Sequence, residues 1–220
     1  MAYTLHIGNK NYSSWSLRPW LVLRQAGIPF TEHLVSLQDD AGKAARLARL
    51  PAGRVPCLEH DGLVVWDSLA ICEYLAERHP GLWPDEAGAR AHARSICAEM
   101  HSGFQGLRSE LSMDVRSRRP QRKASPAARA DVARVEQIWR ETRARFGGGG
   151  PLLFGRFTVA DAFYAPVAFR FRTYGVAPAG EAGAYQAALL ALPGMKEWEA
   201  AAEGDERLAD HDLDRMYPGD

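Results

Sequence analysis

The sequence predicts a small α/β domain with a mixed four-stranded sheet, followed by an all-α domain. Two observations predict this. Within the first 80 residues, strand and helix patterns follow one another in the order β-α-β, a loop, and β-β-α. Beyond about residue 85, apolar residues recur only at the three- and four-residue spacing of helices. The 220 residues are enough for two domains, and the 46% hydrophobic content is that of a folded chain.

The first three elements form a β-α-β unit. Residues 3–7 alternate apolar and polar side chains and are predicted to form a strand. Residues 17–25 have helical periodicity, and Pro19 is tolerated because it falls in the first turn. Gly27-Ile28-Pro29 ends this helix, and residues 30–35 alternate again as a second strand.

A hairpin and a helix complete the predicted α/β domain. Residues 55–60 and 63–66 are two short strand patterns on either side of Asp61-Gly62, and an Asp-Gly pair between strands is a strong hairpin signal. Asp67-Ser68 then begins a helix that ends near residues 79–81.

The rest of the chain is predicted to be helical. Residues 82–85 are interpreted as a linker, which gives domains at 1–81 and 88–220. A single long helix is predicted from its apolar stripe, which consists of Ile96, Met100, Phe104, Leu107 and Leu111. Further helices are predicted over 132–146, from 157 to about 174, over 185–192 and over 193–202. Thr158 and Asp161 match a capping box at the start of the helix from 157 to about 174.

The net charge is zero, but the charges are unevenly distributed. Residues 90–150 carry a surplus of seven basic groups, and residues 151–220 carry a deficit of five. These stretches are predicted to attract each other, either within one chain or between two subunits. The basic run at 116–123 contains a proline and lacks interleaved aromatic residues. It is therefore interpreted as a solvated loop, and nucleic acid is not an expected partner.

The sequence predicts a cytoplasmic protein. The N-terminus lacks the basic and apolar regions of a secretory signal, and no apolar run approaches the roughly 20 residues of a membrane span. A membrane is therefore not an expected partner. Cys57, Cys72 and Cys97 match neither a disulfide framework nor a zinc pattern, so they are expected to be buried thiols, and no metal site is expected.

Three motifs carry candidate chemistry. The first, Asn-Tyr-Ser-Ser-Trp-Ser-Leu-Arg at 11–18, places hydroxyl groups at a helix start, where they can either cap the helix or stabilise an anion. The second, Arg54-Val55-Pro56-Cys57, brings a proline into a strand, which is normally an edge or bulge feature. The third, Trp66-Asp67-Ser68, is either an ordinary N-cap pair or a site for charged ligand groups.

With these motifs at these separations, the chain resembles the cytosolic glutathione S-transferases over essentially its whole length, nearest to the zeta- and tau-like serine branches. The resemblance implies the glutathione S-transferase fold, which joins a thioredoxin-like N-terminal domain to an all-α C-terminal domain. It also implies glutathione as co-substrate, a small electrophile as second substrate and a homodimer.

The resemblance implies roles for the three motifs. Ser13, with Ser14 as the alternative, would stabilise the glutathione thiolate. Val55, before a cis Pro56, would hold the cysteinyl unit through its main chain, and Arg54 is a further expected glutathione-binding residue. Asp67 would take the γ-glutamyl ammonium. Ser68 and the first amides of its helix would take the carboxylate.

The second-substrate cleft is expected to involve four residues. His101, Gln105 and Arg108 lie at i, i+4 and i+7 of the predicted long helix, which in the family lines the cleft above the sulfur. The alternative for these three is a solvated polar face. Trp15 is also placed at the cleft, where zeta members carry cysteine, and this departure weakens a transfer of their isomerase activity.

A glutathione transferase is the predicted function, and two alternatives stay open beside it. The first is a maleylacetoacetate-type cis-trans isomerase and the second a non-catalytic glutathione-binding or interaction protein. A thiol-disulfide oxidoreductase is disfavoured, because Ser13 and Ser16 occupy the positions of a Cys-x-x-Cys motif.

Overall fold

A computed structural model describes residues 2–35, 48 and 50–205. The described strands form one sheet in the order β2-β1-β3-β4. Their bounds are β1 Tyr3–Ile7, β2 Phe30–Leu34, β3 Cys57–His60 and β4 Leu63–Val65. β1 pairs in parallel with β2 and antiparallel with β3, so that Leu5 lies between Glu32 and Leu58. The predicted mixed four-stranded sheet is confirmed.

The turn between β3 and β4 has the predicted hairpin chemistry. Asp61 and Gly62 have φ angles of 50° and 79°. A tight hairpin turn with two left-handed residues suits the right-handed twist of its strands, and glycine adopts that conformation without strain. The strand after Pro56 begins at Cys57, two residues later than the sequence predicts.

Eight helices accompany the sheet in the described part of the chain. Two of them follow strands, and the other six come after residue 86. Their bounds are α1 Ser14–Gln25, α2 Ser68–Arg78, α3 Ala87–Ser102, α4 Gln105–Glu110, α5 Pro126–Phe146, α6 Val159–Tyr174, α7 Gly180–Leu190 and α8 Pro193–Ala202. The predicted division into an α/β half and a helical half is confirmed.

The core runs through both halves of the molecule. α1 is buried on almost every side, because it packs against α2 as well as against α6 and α8 of the helical half. Its Trp20 ring meets Trp198 of α8 edge-on, with 5.0 Å between the ring centroids. α6 is buried along most of its length. α1 is therefore held by packing from both halves of the molecule.

The predicted long helix over residues 96–111 is wrong in one respect, because the structure divides it into α3 and α4. Phe104, between them, has a left-handed φ of 61°. The guanidinium of Arg108 donates hydrogen bonds to the carbonyl oxygens of Met100 and Gly103, which lie at the end of α3. This interaction satisfies carbonyl groups that the ended helix leaves without partners. His101, Gln105 and Arg108 consequently do not share one helix face.

The start of α6 has the predicted capping box. Asp161 Oδ2 accepts hydrogen bonds from the backbone nitrogen of Thr158 at 2.8 Å and from its hydroxyl at 3.0 Å. Asp161 Oδ1 accepts a third from the backbone nitrogen of Leu153 at 3.1 Å. The carboxyl is completely buried, and burial raises its pKa to about 6.

The two oppositely charged stretches meet within the helical half. Arg116 lies 3.3 Å from a carboxylate oxygen of Glu203, and Arg118 lies 3.8 Å from one of Glu199. Arg172 of α6 approaches the same Glu199 to 2.6 Å. The predicted attraction therefore operates inside one chain. In the part of the chain that the structure describes, no helix has the length and apolarity needed to span a membrane.

Candidate functional site

A cavity of about 420 Å³ lies where four separate segments meet. Its lining comprises Trp15, Ala52, Arg54, Val55, Pro56, Trp66, Asp67, Ser68 and His101. Seven of the eleven site residues predicted from the sequence are among them. They come from the first turn of α1, the segment before β3, the start of α2 and the end of α3. The fold therefore brings all three sequence motifs to one place.

One wall of the cavity is the segment that leads into β3. The Val55–Pro56 peptide bond is cis, as the family resemblance implied. Val55 precedes the strand, and its main chain makes no hydrogen bond to another residue in the described ranges. A free main-chain edge of this kind can pair with an extended peptide. Arg54 is exposed beside it.

The N-terminus of α2 lies beside this segment, because it follows β4, the strand that pairs with β3. Asp67 caps this helix, because its Oδ1 accepts hydrogen bonds from the backbone nitrogens of Leu69 at 3.0 Å and Ala70 at 3.4 Å. The Asp67 side chain is nonetheless 53% exposed. The same carboxylate therefore caps the helix and lines the cavity. Ser68 is fully buried at the first helical position.

Ser13 and Ser14 lie next to the cavity but not among its lining residues. Both are buried at the start of α1. The Ser13 hydroxyl makes no capping bond and donates to Ser16 Oγ at 2.7 Å. Ser14 Oγ accepts a hydrogen bond from the Arg170 guanidinium at 3.2 Å. The thiolate role of these serines stays a prediction.

Arg18 is a site residue that the sequence reasoning did not select. Its guanidinium is buried between the rings of Trp15, at 4.2 Å, and Phe163, at 4.5 Å. Burial lowers its pKa to about 9, and the positive charge of Arg108 contributes in the same direction. Its Nη1 contacts Ser68 Oγ at 3.4 Å, and its Nε has no partner among the described residues. The sequence feature that could have indicated Arg18 is its position as a charged residue within the apolar face of α1.

The expected second-substrate residues lie in three different settings. His101 lines the cavity and its ring meets Trp15 edge-on, with 5.2 Å between centroids. The Arg108 guanidinium lies 4.7 Å from the Trp15 ring centroid, but its hydrogen bonds go to backbone carbonyls. Gln105 is exposed at the start of α4 and does not line the cavity. Of the three, only His101 faces the site directly.

Metal-ligating side chains are not gathered at this site. Within residues 2–35, 48 and 50–205, no three His, Cys, Asp or Glu side chains are placed to hold one metal ion.

Comparison with known proteins identifies the family. The model of the glutathione S-transferase N-terminal domain matches residues 12–78, and that of the C-terminal domain matches residues 124–204. Together they cover more than half of the chain. The chain belongs to the glutathione S-transferase family, and the architecture described above is the fold of that family.

Several similar proteins are maleylacetoacetate isomerases. A probable maleylacetoacetate isomerase of Caenorhabditis elegans is 38% identical over 96 residues, which are 43% of this chain and 44% of that protein. The match thus spans less than half of that relative. The maleylacetoacetate isomerase of Rattus norvegicus is 30% identical over 159 residues, 70% of each protein. The crystal structure of the Anaeromyxobacter dehalogenans maleylacetoacetate isomerase, with glutathione bound in its active site, is 27% identical with a TM-score of 0.67 and covers 94% of this chain and 99% of its own.

Proposed function

We propose that this protein is a glutathione transferase that binds glutathione in the 420 Å³ cavity and presents its thiolate to a small electrophile. The observation that carries the proposal is that the segment leading into β3 and the N-terminus of α2 lie side by side in the lining of this cavity. The main chain of Val55, which no other described residue pairs with, suits the peptide part of glutathione. Asp67 suits the γ-glutamyl ammonium, and the N-terminus of α2 at Ser68 suits the neighbouring carboxylate.

The environment of α1 favours the anionic form of the bound thiol. A thiolate is the reactive nucleophile, and nearby positive charge lowers the pKa of a thiol. Arg18 and Arg108 both lie against the ring of Trp15, and the N-terminus of α1 adds its positive dipole end. The Ser13 hydroxyl can turn from Ser16 to the sulfur, since Ser16 Oγ still accepts a hydrogen bond from the Gly8 nitrogen.

In the proposed reaction the thiolate sulfur donates its electron pair to the electrophilic carbon and forms a C–S bond. With an aryl halide, the halide leaves with the electron pair of its bond to carbon. With an epoxide, the C–O bond opens and the oxygen takes up a proton from water. In either case the product is a glutathione thioether.

A second candidate is a maleylacetoacetate-type cis-trans isomerase, which the similarity to the isomerases of Rattus norvegicus and Anaeromyxobacter dehalogenans favours. Here the thiolate adds to a conjugated double bond, the resulting single bond rotates, and the C–S bond breaks so that the thiolate returns unchanged. Ser13 and Ser14 fit this reaction, whereas Trp15 stands where zeta members carry cysteine.

Turnover assays with purified protein separate these functions. We expect glutathione to bind in a calorimetric titration and an aryl halide or epoxide to be consumed. Turnover of maleylacetone in place of these substrates would select the isomerase. Binding of glutathione without any turnover would point to a non-catalytic binding protein, and an absence of binding would refute all three.

The hydroxyl assignment has its own test. Ser13→Ala is expected to raise the thiol pKa of bound glutathione, because the thiolate loses a hydrogen-bond donor. The ultraviolet absorbance of the thiolate, followed against pH, measures that value. Ser14→Ala is the matched control. If the pKa moved with Ser14→Ala and not with Ser13→Ala, the Ser13 assignment would be wrong.

A homodimer and a cytoplasmic location belong to the same proposal. Three exposed apolar side chains lie on the edge strand β4 or just after it, namely Leu63, Val64 and Trp66, of which Trp66 also lines the cavity. Light scattering coupled to size-exclusion chromatography is expected to give twice the 24.3 kDa mass of the chain.

A further inference from the structure

His101 joins the two halves of the molecule at the cavity. It belongs to α3 of the helical half, but its hydrogen-bonding atoms contact two charged side chains of the α/β half. His101 Nε2 lies 2.9 Å from Asp67 Oδ2, and Nδ1 lies 3.5 Å from Arg18 Nη1. Among the described residues that line this cavity, no other comes from beyond residue 68.

The partners of His101 fix its tautomer. A guanidinium can only donate hydrogen bonds, so Nδ1 of His101 acts as the acceptor toward Arg18. The proton of a neutral imidazole then resides on Nε2 and is donated to Asp67. Burial lowers the pKa of His101 below its ordinary value, which favours this neutral form. The ring is also packed against Trp15 and Phe163, which restricts its rotation.

The hydrogen bonds of Asp67 leave one place for a ligand. An ionised carboxylate has about four acceptor sites. Oδ1 uses two for the backbone nitrogens of Leu69 and Ala70, and Oδ2 uses one for His101. The remaining acceptor site is on Oδ2, the oxygen that His101 holds. The carboxylate is half exposed, so a ligand ammonium can reach it.

We infer that His101 is a positioning residue of the glutathione subsite, where it orients the Asp67 carboxylate toward the γ-glutamyl ammonium. This inference rests on the proposed function and deepens it. It moves His101 from the second-substrate cleft, where the sequence placed it, to the glutathione half of the site. It also makes glutathione affinity depend on α3, although every other proposed glutathione contact lies in the first 68 residues.

The test uses two ligands and matched variants. Titration calorimetry measures the Kd of glutathione and of its des-amino analogue, which lacks only the α-ammonium. His101→Leu is expected to raise the Kd of glutathione about tenfold, since a hydrogen bond to a charged group is lost. It should leave the Kd of the analogue unchanged. His101→Gln retains an N–H donor and should recover most of the affinity.

Two controls separate positioning from folding. His92→Leu makes the same substitution on the same helix, where the histidine bonds to Thr142 and does not line the cavity. It should change neither Kd. In an Asp67→Ala background, His101→Leu should cause no further loss, because the two residues act on one ligand group. In turnover assays His101→Leu should raise KM for glutathione with kcat unchanged.

Each remaining outcome overturns the inference. Equal weakening of both ligands by His101→Leu would mean a general structural role, and unchanged glutathione binding would mean no role at this subsite. If the unmodified protein bound no glutathione, the proposed function would fall and this inference with it. If the unmodified protein bound glutathione and the His101→Leu, His101→Gln and His92→Leu variants all had the same Kd for glutathione, only the inference would fall.

Discussion

Replacement of Asp161 by alanine tests the energetics of the helical half. The carboxylate accepts hydrogen bonds from the backbone nitrogens of Leu153 and Thr158 and from the Thr158 hydroxyl. All three residues have zero exposed surface. Alanine would therefore leave two backbone N–H groups buried without an acceptor and remove the Asp161 half of the capping box of α6, while the N-cap residue Thr158 stays in place.

The expected cost follows from these contacts. A buried donor left without its partner costs about 1–3 kcal/mol. A buried carboxylate is itself unfavourable at neutral pH, which offsets part of the loss. We therefore expect Asp161→Ala to lower the free energy of unfolding by about 2–4 kcal/mol at pH 7.

The pH dependence gives a sharper signature. The pKa of Asp161 is raised from 3.8 to about 6 in the folded chain, so the folded state binds this proton more tightly than the unfolded state. This group therefore stabilises the unmodified protein as pH falls from about 6 to about 4, and it loses that contribution as pH rises. The full effect is about 3 kcal/mol, and about 2 kcal/mol of it develops between pH 7 and pH 4.5.

The variant lacks this titration, so its deficit should grow by about 2 kcal/mol when the pH is lowered from 7 to 4.5. Urea unfolding followed by tryptophan fluorescence measures both values. Glu181→Ala, which alters an exposed ion pair with Arg143, is the control and should cost less than about 1 kcal/mol at either pH. A deficit that shrinks at pH 4.5 would refute the raised pKa. A deficit below about 1 kcal/mol at pH 7 would refute the capping role.

Two further predictions concern packing and thiol chemistry. Gly106→Ala should destabilise the protein by about 1–3 kcal/mol in urea unfolding. Its new Cβ would lie 2.8 Å from the Ala128 nitrogen and 3.0 Å from the Ala127 carbonyl carbon, both backbone atoms that cannot turn aside; an unchanged midpoint would contradict this packing. The three cysteines should be unreactive toward a disulfide reagent in native protein and reactive in urea, because all are buried and burial raises the pKa of Cys57 to about 11. Rapid native labelling would show that the thiols are accessible.

Local patterns were sufficient for most of the fold. The alternation of residues 3–7 and the Asp61-Gly62 pair specify β1 and the hairpin through nearest neighbours alone. The break between α3 and α4 escaped prediction, because Phe104 and the rest of the apolar stripe are buried on both sides of it. Apolar periodicity indicates only which residues are buried. The backbone changes direction at Phe104, but the stripe residues before and after it are equally buried, so their pattern does not reveal the break.

The sequence predicts which segments form the candidate site, but not the hydrogen bonds that connect side chains of different segments. Asp67 and His101 are 34 positions apart in the sequence, and nothing local indicates that they are bonded. Arg18 lies in an otherwise apolar helix face, and only the folded chain shows its guanidinium in contact with the cavity residues Ser68 and His101. Contacts between distant segments decide which polar side chains serve the site.

The packing of α8 on α1 has a consequence for synthesis. Trp198 lies against Trp20, and its indole nitrogen donates a hydrogen bond to the Lys10 carbonyl oxygen at 2.7 Å. On the ribosome, the α/β half emerges long before residue 198 is made. We therefore expect the part of α1 that α8 covers, around Trp20, to stay uncovered through most of translation. Nascent chains that stop short of α8 should be held by chaperones, and native protease resistance should appear only once α8 is complete.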